Sequence, residues 1–220
     1  MIKKIYSWFH RATSSPPVRG EYSGGYWQGL VRRETLLLCQ GIQGRVLDVG
    51  CGEGLFLAEL ARQKPELKLW GVDNSKQRLE LAEKRAREQN LKNITFSLQQ
   101  APGLAFEEGF FDAAVCINVF FNMESLASVS QTLSQMKRVC KTGAKIIFDF
   151  RNSQNPALRL KYKLARYYDD TVKGLPLKTY SPKQIDAILN ELHLGTRGKR
   201  RLGFKLKSLA PIILVEAEKI

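Results

Sequence analysis

The 220-residue chain reads as an α/β protein built on a doubly wound, mostly parallel sheet of seven strands. Three observations carry that reading. Strand and helix signals alternate from Arg45 onward. The strand candidates are nearly continuous apolar runs, as strands covered on both faces must be. And "VLDVGCGEGLFLAEL" sets three glycines in five positions between two apolar runs of different period. A glycine inside a regular element costs about 0.5–1 kcal/mol relative to alanine. Residues 50–54 therefore mark a strand-to-helix turn that needs a bare backbone.

The elements follow in order. "TSSPPVRGEYSGG", residues 13–25, is a Ser/Pro/Gly-rich connector between a short N-terminal segment and a helix in "YWQGLVRRETLLLCQ". The strand "RVLDVG" precedes the helix "EGLFLAELARQK", which Pro65 ends. "LKLWGVD" is the second strand. "SKQRLELAEKRAREQN" is an amphipathic helix with Ser75 as N-cap and Asn90 as its stop. "ITFSLQQ" and "FDAAVCIN" are the third and fourth strands. "SLASVSQTLSQMKRVCK" is a helix expected to close at Thr142-Gly143, and "AKIIFDF" is the fifth strand. A helix in "NPALRLKYKLARYYDD" follows, then one starting at Ser181-Pro182, a basic strand and a final strand in "APIILVEAEK". The expected organisation is an N-terminal amphipathic segment and linker (1–25), a core (26–150), a lid (151–180) and a C-terminal part completing the sheet (181–220).

Composition narrows the classes. Hydrophobic residues make up 44% and charged residues 25%, as in a globular chain. No apolar run approaches the ~20 residues of a membrane span. Four widely spaced cysteines without a CxxC pair read as reduced thiols of a cytoplasmic protein, and no metal site is expected. The net charge of +14 is uneven: residues 48–150 are neutral, and the excess lies in residues 1–47 and 151–220. Confinement to the flanks points to an anionic partner rather than to a general solubility device.

The glycines fall where an open parallel sheet binds ligands, beyond the carboxyl ends of its strands. Their G-x-G-x-G spacing differs from the G-x-G-x-x-G of a pyrophosphate site. Asp73 stands nineteen residues after Gly54, at the end of the second strand, where a carboxylate accepts hydrogen bonds from ribose hydroxyls. The ligand is thus nucleoside-like and without a diphosphate.

"VLDVGCGEG" with "GVDNS" resembles the first two motifs of the class I S-adenosylmethionine-dependent methyltransferases. "FDAAVCINVFFN" and "LSQMKRVCKTGAKIIFDF" are similar to that family's fourth- and fifth-strand regions. The resemblance covers roughly residues 26–150. It implies a Rossmann-like sheet with an antiparallel last strand, and S-adenosylmethionine as cofactor. It implies that Asp48 organises the glycine loop and the methionine end, with Gly50, Cys51 and Gly52 against the ligand. Asp73, with Asn74 beside it, would hold the ribose. Gln100-Ala101 stands where many members carry Asp-Ala, and Gln100 can still accept from the adenine amino group through its amide oxygen. Asn118 would sit near the sulfonium or methionine part.

Methyl transfer from a sulfonium needs an aligned acceptor, and a general base when that acceptor is a hydroxyl or an activated carbon. Many relatives carry a histidine after the fourth strand, where this chain has Phe121 and Asn122. Of its two histidines, His10 lies in the N-terminal segment and His193 reads as a helix C-terminal cap. The segment with Tyr167, Tyr168, Asp169 and Asp170 occupies the family's lid position, and Tyr168 and Asp169 are the candidate catalytic residues. Gly174 lies near the end of that lid, which is expected to be mobile.

The segment "INVFFN" lacks the Asn/Asp-Pro-Pro-aromatic stretch of amino methylation, and Cys116 sits inside a strand as a core residue rather than as a cytosine-attacking nucleophile. "MIKKIYSWFHR" has the pattern of an interfacial amphipathic helix, and "RGKRRLGFKLK" carries six bases in eleven residues. The favoured expectation is direct methyl transfer to a small, amphiphilic or lipid-linked acceptor, by a cytoplasmic protein in peripheral contact with an anionic membrane. Nucleic acid is the less favoured partner, through an RNA methyltransferase whose basic flanks neutralise phosphates. A non-catalytic S-adenosylmethionine-binding protein is the alternative of another class. The oligomeric state stays open.

Overall fold

The computed structural model describes residues 25–168, 175–203 and 209–220. Its strands are β1 (Arg45–Val49), β2 (Lys68–Asp73), β3 (Ile94–Leu98), β4 (Phe111–Cys116), β5 (Cys140–Arg151), β6 (Leu194–Leu202) and β7 (Ile212–Lys219). Its helices are α1 (Tyr26–Leu38), α2 (Leu55–Gln63), α3 (Lys76–Glu88), α4 (Leu126–Val139), α5 (Pro156–Tyr168) and α6 (Pro182–Glu191). The strands form one seven-stranded sheet in the order β3-β2-β1-β4-β5-β7-β6. β1 to β5 run parallel, and β7 is antiparallel to both β5 and β6.

The pleat divides the core in two. Leu47, Ala114, Cys116, Phe148 and Val215 pack on one face with α4 and α6. Val46, Ala113, Val115, Ile147 and Leu214 pack on the other with α1 and α2. Successive strand residues point to opposite faces, so strands covered on both faces must be apolar throughout. This is why the sequence shows runs and not alternation.

The caps hold the helices where expected. Ser75 Oγ accepts from Arg78 N at 3.4 Å. Ser181 and Gln184 exchange bonds in a capping box, with Pro182 in the first turn. Asn90 ends α3 in the left-handed region at φ 53. One end differs. α4 stops at Val139, short of Thr142-Gly143, because Cys140 is fully buried and already pairs with Phe111 of β4. Sheet pairing outweighs a further half-turn of helix, and Gly143, at φ 78, lies within β5 in the irregular stretch between the Cys140–Phe111 and Lys145–Ala113 pairings instead of capping α4.

Several expectations lie outside the described residues: the N-terminal amphipathic helix with His10, Asp169 and Asp170, Gly174, and the bases at positions 205 and 207. Among the described residues no helix is long and apolar enough to cross a membrane.

Candidate functional site

The order β2-β1-β4 places a crevice at the carboxyl ends of the strands, where successive connections leave in opposite directions. β1 ends in Asp48 and Val49, and the chain then turns sharply. Gly50 N and Cys51 N both donate to the Val72 carbonyl, at 2.8 and 3.0 Å, which folds the loop over the end of β2. Gly50 adopts φ 77. A Cβ there would approach Val119 Cγ2 to 2.4 Å, so this position excludes a side chain on two grounds. Gly71 of β2 underlies the loop, and a Cβ on it would reach Leu57 Cδ1 at 2.6 Å and Cys51 Sγ at 2.9 Å.

Asp73 has a second task that the sequence did not reveal. Its Oδ2 accepts from Gly52 N at 2.8 Å and its Oδ1 from Ser75 N at 2.9 Å. One carboxylate thus ties the glycine loop to the start of α3. The residue is 5% exposed.

These loops enclose a cleft of about 470 Å³. Asp48, Gly50, Cys51, Gly52, Asp73, Asn74, Gln100, Ala101 and Asn118 all line it, so the structure brings together every residue expected at the cofactor. Residues not singled out from the sequence join them: Arg32 of α1, Phe56 of α2, Arg78 of α3, and Met123, Glu124 and Ser128 after β4. Asn122 lines the same wall, and its Oδ1 is buried without a hydrogen-bond partner. Gln99 spends its amide on Ser97 Oγ and Ala105 N, both at 2.9 Å, whereas no side-chain bond of Gln100 occurs among the described residues. The Gln100 amide is exposed at the edge of the cleft.

Asp48 dominates the electrostatics. It is 1% exposed, and its Oδ1 has no hydrogen-bond partner. Burial, and then the neighbouring Asp73, push its carboxyl up to about 8. A cation arriving in the cleft would relieve both penalties, so the donor set fits a positively charged sulfonium nucleoside. Burial also raises the Cys51 and Cys116 thiols well above their ordinary range, which removes both as nucleophiles.

At the end of β4, Asn118 sits at φ 59. Its N donates to Asp149 Oδ1 at 2.5 Å, and its Oδ1 accepts from Arg151 Nη2 at 3.0 Å. Neither Asp149 nor Arg151 was anticipated. Their signal was "IIFDFR", which puts two charges on one face at the apolar carboxyl-terminal half of the strand. The candidate base is not located: Tyr168 closes α5, and Asp169 lies outside the described residues. His193 stands just past α6 at φ 48, where its N donates to the Asn190 carbonyl at 3.1 Å, and it does not line the cleft.

Known proteins resemble this chain in both sequence and fold. Residues 46–143 match the family model described as a methyltransferase domain. A demethylmenaquinone methyltransferase of Symbiobacterium thermophilum is 36% identical over 104 residues, which cover 46% of this chain and 40% of that protein. A ubiquinone biosynthesis O-methyltransferase of Alkalilimnicola ehrlichii is 28% identical over 171 residues, covering 74% of this chain and 66% of that one. The chain thus spans less than half the length of the first of these relatives. Among solved structures, an S-adenosylmethionine-dependent methyltransferase from Methanosarcina mazei superposes with a TM-score of 0.66 at 21% identity, covering 80% of this chain and 92% of its own. A geranyl diphosphate C-methyltransferase from Streptomyces coelicolor gives 0.67 at 15% identity, covering 96% and 86%.

Proposed function

We propose that the chain is an S-adenosylmethionine-dependent methyltransferase, since residues 46–143 match the methyltransferase-domain model, and that it methylates a small, amphiphilic acceptor of the quinol kind. One observation carries the reading. The ends of four adjacent parallel strands converge on one cleft that contains a buried carboxyl oxygen without a partner.

S-adenosylmethionine, when bound, supplies a methyl group on positively charged sulfur, open to direct displacement. The chain's own part is to bind and align. Asp48 and the glycine loop would take the methionine end. Asp73 would offer its remaining lone pairs to ribose hydroxyls beside Asn74, and Gln100 and Ala101 would meet the adenine. Holding acceptor and donor in line can supply ~7–11 kcal/mol of the barrier reduction. The wall after β4 suits an amphiphile, since apolar Ile117, Val119 and Met123 alternate with Asn118 and Asn122. The names of the quinone-biosynthesis relatives point the same way.

The basic strand favours a small acceptor over RNA. Arg197 pairs with Glu218 at 2.6 Å, Arg200 with Glu34 at 3.0 Å, and Lys199 with Asp186. Cations already paired release fewer counterions from a phosphate backbone. Peripheral contact with an anionic membrane is proposed through residues 1–12.

Calorimetry with S-adenosylhomocysteine, followed by an assay of its acceptor-dependent release from S-adenosylmethionine, tests the proposal. Release driven by a membrane-lipid extract is expected. Release driven only by bulk tRNA would turn the reading to RNA. Binding without release under either condition would leave a non-catalytic binder, and no binding would refute the proposal.

A further inference from the structure

We propose that Asp149 and Arg151 are positioning residues: they hold the Asn118 amide with its N–H edge toward the cleft, where it donates to an electron-rich oxygen of a ligand. The ligand half of this inference rests on the reading above.

The two residues lie on one face of β5, with side chains 1% and 2% exposed. Arg151 Nη1 donates to Asp149 Oδ2 at 2.5 Å, and Nη2 donates to Asn118 Oδ1 at 3.0 Å. Asp149 Oδ1 accepts from Asn118 N at 2.5 Å. The pair therefore grips Asn118 twice, once by its backbone and once by its side chain. Phe121 lies over the guanidinium, with Cζ 4.7 Å from the ring centroid, and Tyr162 of α5 hydrogen-bonds it from another side.

The chemistry of these groups fixes the amide's orientation. A guanidinium only donates, so the Asn118 atom facing Arg151 is the oxygen. The opposite atom is the nitrogen, and it lies 3.5 Å from the Gln28 carbonyl, at the long limit of a hydrogen bond. An amide nitrogen has two N–H groups, and among the described residues the second meets no acceptor. Asn118 lines the cleft. What it can offer there is a donor, and the cation behind its oxygen polarises that donor further.

The cost of the arrangement argues for a use. A buried ion pair commonly contributes no more stability than an apolar pair of the same volume. Here the pair maintains a non-glycine residue at φ 59 and a fixed dipole at the wall of the cleft. Fixed donors aimed at a site where negative charge gathers are a recurrent means of binding and rate enhancement. The oxygen can come from two sources, the carboxylate at the cofactor's methionine end or an oxygen of the methyl acceptor.

The test uses the full chain labelled with ¹⁵N-asparagine, with the Asn118 side-chain signal identified by its loss in Asn118→Asp. Arg151→Lys keeps the charge beside Asp149 but lacks the fork that reaches Asn118. The double variant D149N/R151M removes both charges together, so that neither is left buried alone. In the free protein, the Asn118 amide protons are expected to exchange with water at least tenfold more slowly in the wild type than in R151K or D149N/R151M. Equal exchange in all three overturns the proposal. With ligand, a shift of the signal caused by S-adenosylhomocysteine but not by 5′-methylthioadenosine, which lacks the amino-acid group, assigns the cofactor carboxylate. A shift that appears only when 1,4-dihydroxynaphthalene joins the S-adenosylhomocysteine complex assigns the acceptor oxygen. A signal that neither ligand moves, while calorimetry reports S-adenosylhomocysteine bound, also overturns the proposal. Failure of S-adenosylhomocysteine to bind overturns the functional reading, whereas the tenfold difference in the free protein stands on its own and would uphold the positioning role.

Discussion

Replacing Asp73 by asparagine should damage the fold and the binding site by separable amounts. The carboxylate accepts from Gly52 N at 2.8 Å and from Ser75 N at 2.9 Å. Hydrogen bonds to a charged acceptor contribute about 1.5–3 kcal/mol each. Asparagine retains one carbonyl oxygen and turns an amino group toward the second backbone N–H, so one bond is lost and a donor is left facing a donor. A net cost of about 2 kcal/mol corresponds to a fall in Tm of about 4–8 °C for a chain of this size. The second loss is of lone pairs for ribose hydroxyls, and at about 1.4 kcal/mol or more it weakens S-adenosylhomocysteine at least tenfold. Thermal melts and calorimetry on the same preparation read the two effects. Lower Tm with unchanged affinity would mean that Asp73 serves the loop alone. No change in either would refute the account of how this loop is held.

Two further perturbations follow from the same geometry, and a third from the sequence of the N-terminal segment. Asp48 is packed among Asp73, Cys51 and Cys116, and its carboxyl is pushed up to about 8 from an ordinary 3.8. The native state therefore holds a proton that the unfolded chain has released, and stability falls as pH rises from about 4 through about 8. Asp48→Asn should flatten the Tm–pH profile and melt higher than the wild type at pH 8.5, while binding S-adenosylmethionine more weakly; a parallel decline in both proteins would contradict the assignment. Gly50→Ala places a Cβ 2.4 Å from Val119 Cγ2 at φ 77, so it should cost about 1–3 kcal/mol of stability and abolish cofactor binding measured by calorimetry. Deleting residues 1–12 should remove co-sedimentation with anionic liposomes; retained sedimentation would shift membrane contact to another surface.

The gathering of the expected residues around one cleft was legible because they are local in sequence and sit at strand ends. The glycine loop, Asp73 and Gln100 each follow a strand that announces itself by apolar content. Where contacts are distant in sequence, the residues gave less away. Asp73 read as a ribose ligand, but its grip on Gly52 depends on two loops meeting across the crevice. The basic strand read as free charge, yet Arg200 reaches Glu34, 166 residues away. α4 ended early because burial of Cys140 against β4 is a tertiary fact. For the general base the sequence offers only Tyr168 and Asp169, because no histidine stands in the segment just after β4 and neighbouring tyrosines and aspartates are common at any helix end.

The position of β7 between β5 and β6 has a further consequence. Among the described residues β6 bonds to no strand but β7, so it cannot join the sheet until β7 has docked on β5. Hydrogen exchange should record this hierarchy: β6 amides open in a sub-global step while β5 and β7 stay protected. That opening would also part Arg197 from Glu218 on β7 and Lys199 from Asp186 on α6. The positive field of this edge is therefore tied to the breathing of one strand, and an anionic surface nearby would draw on the open population rather than on the closed one.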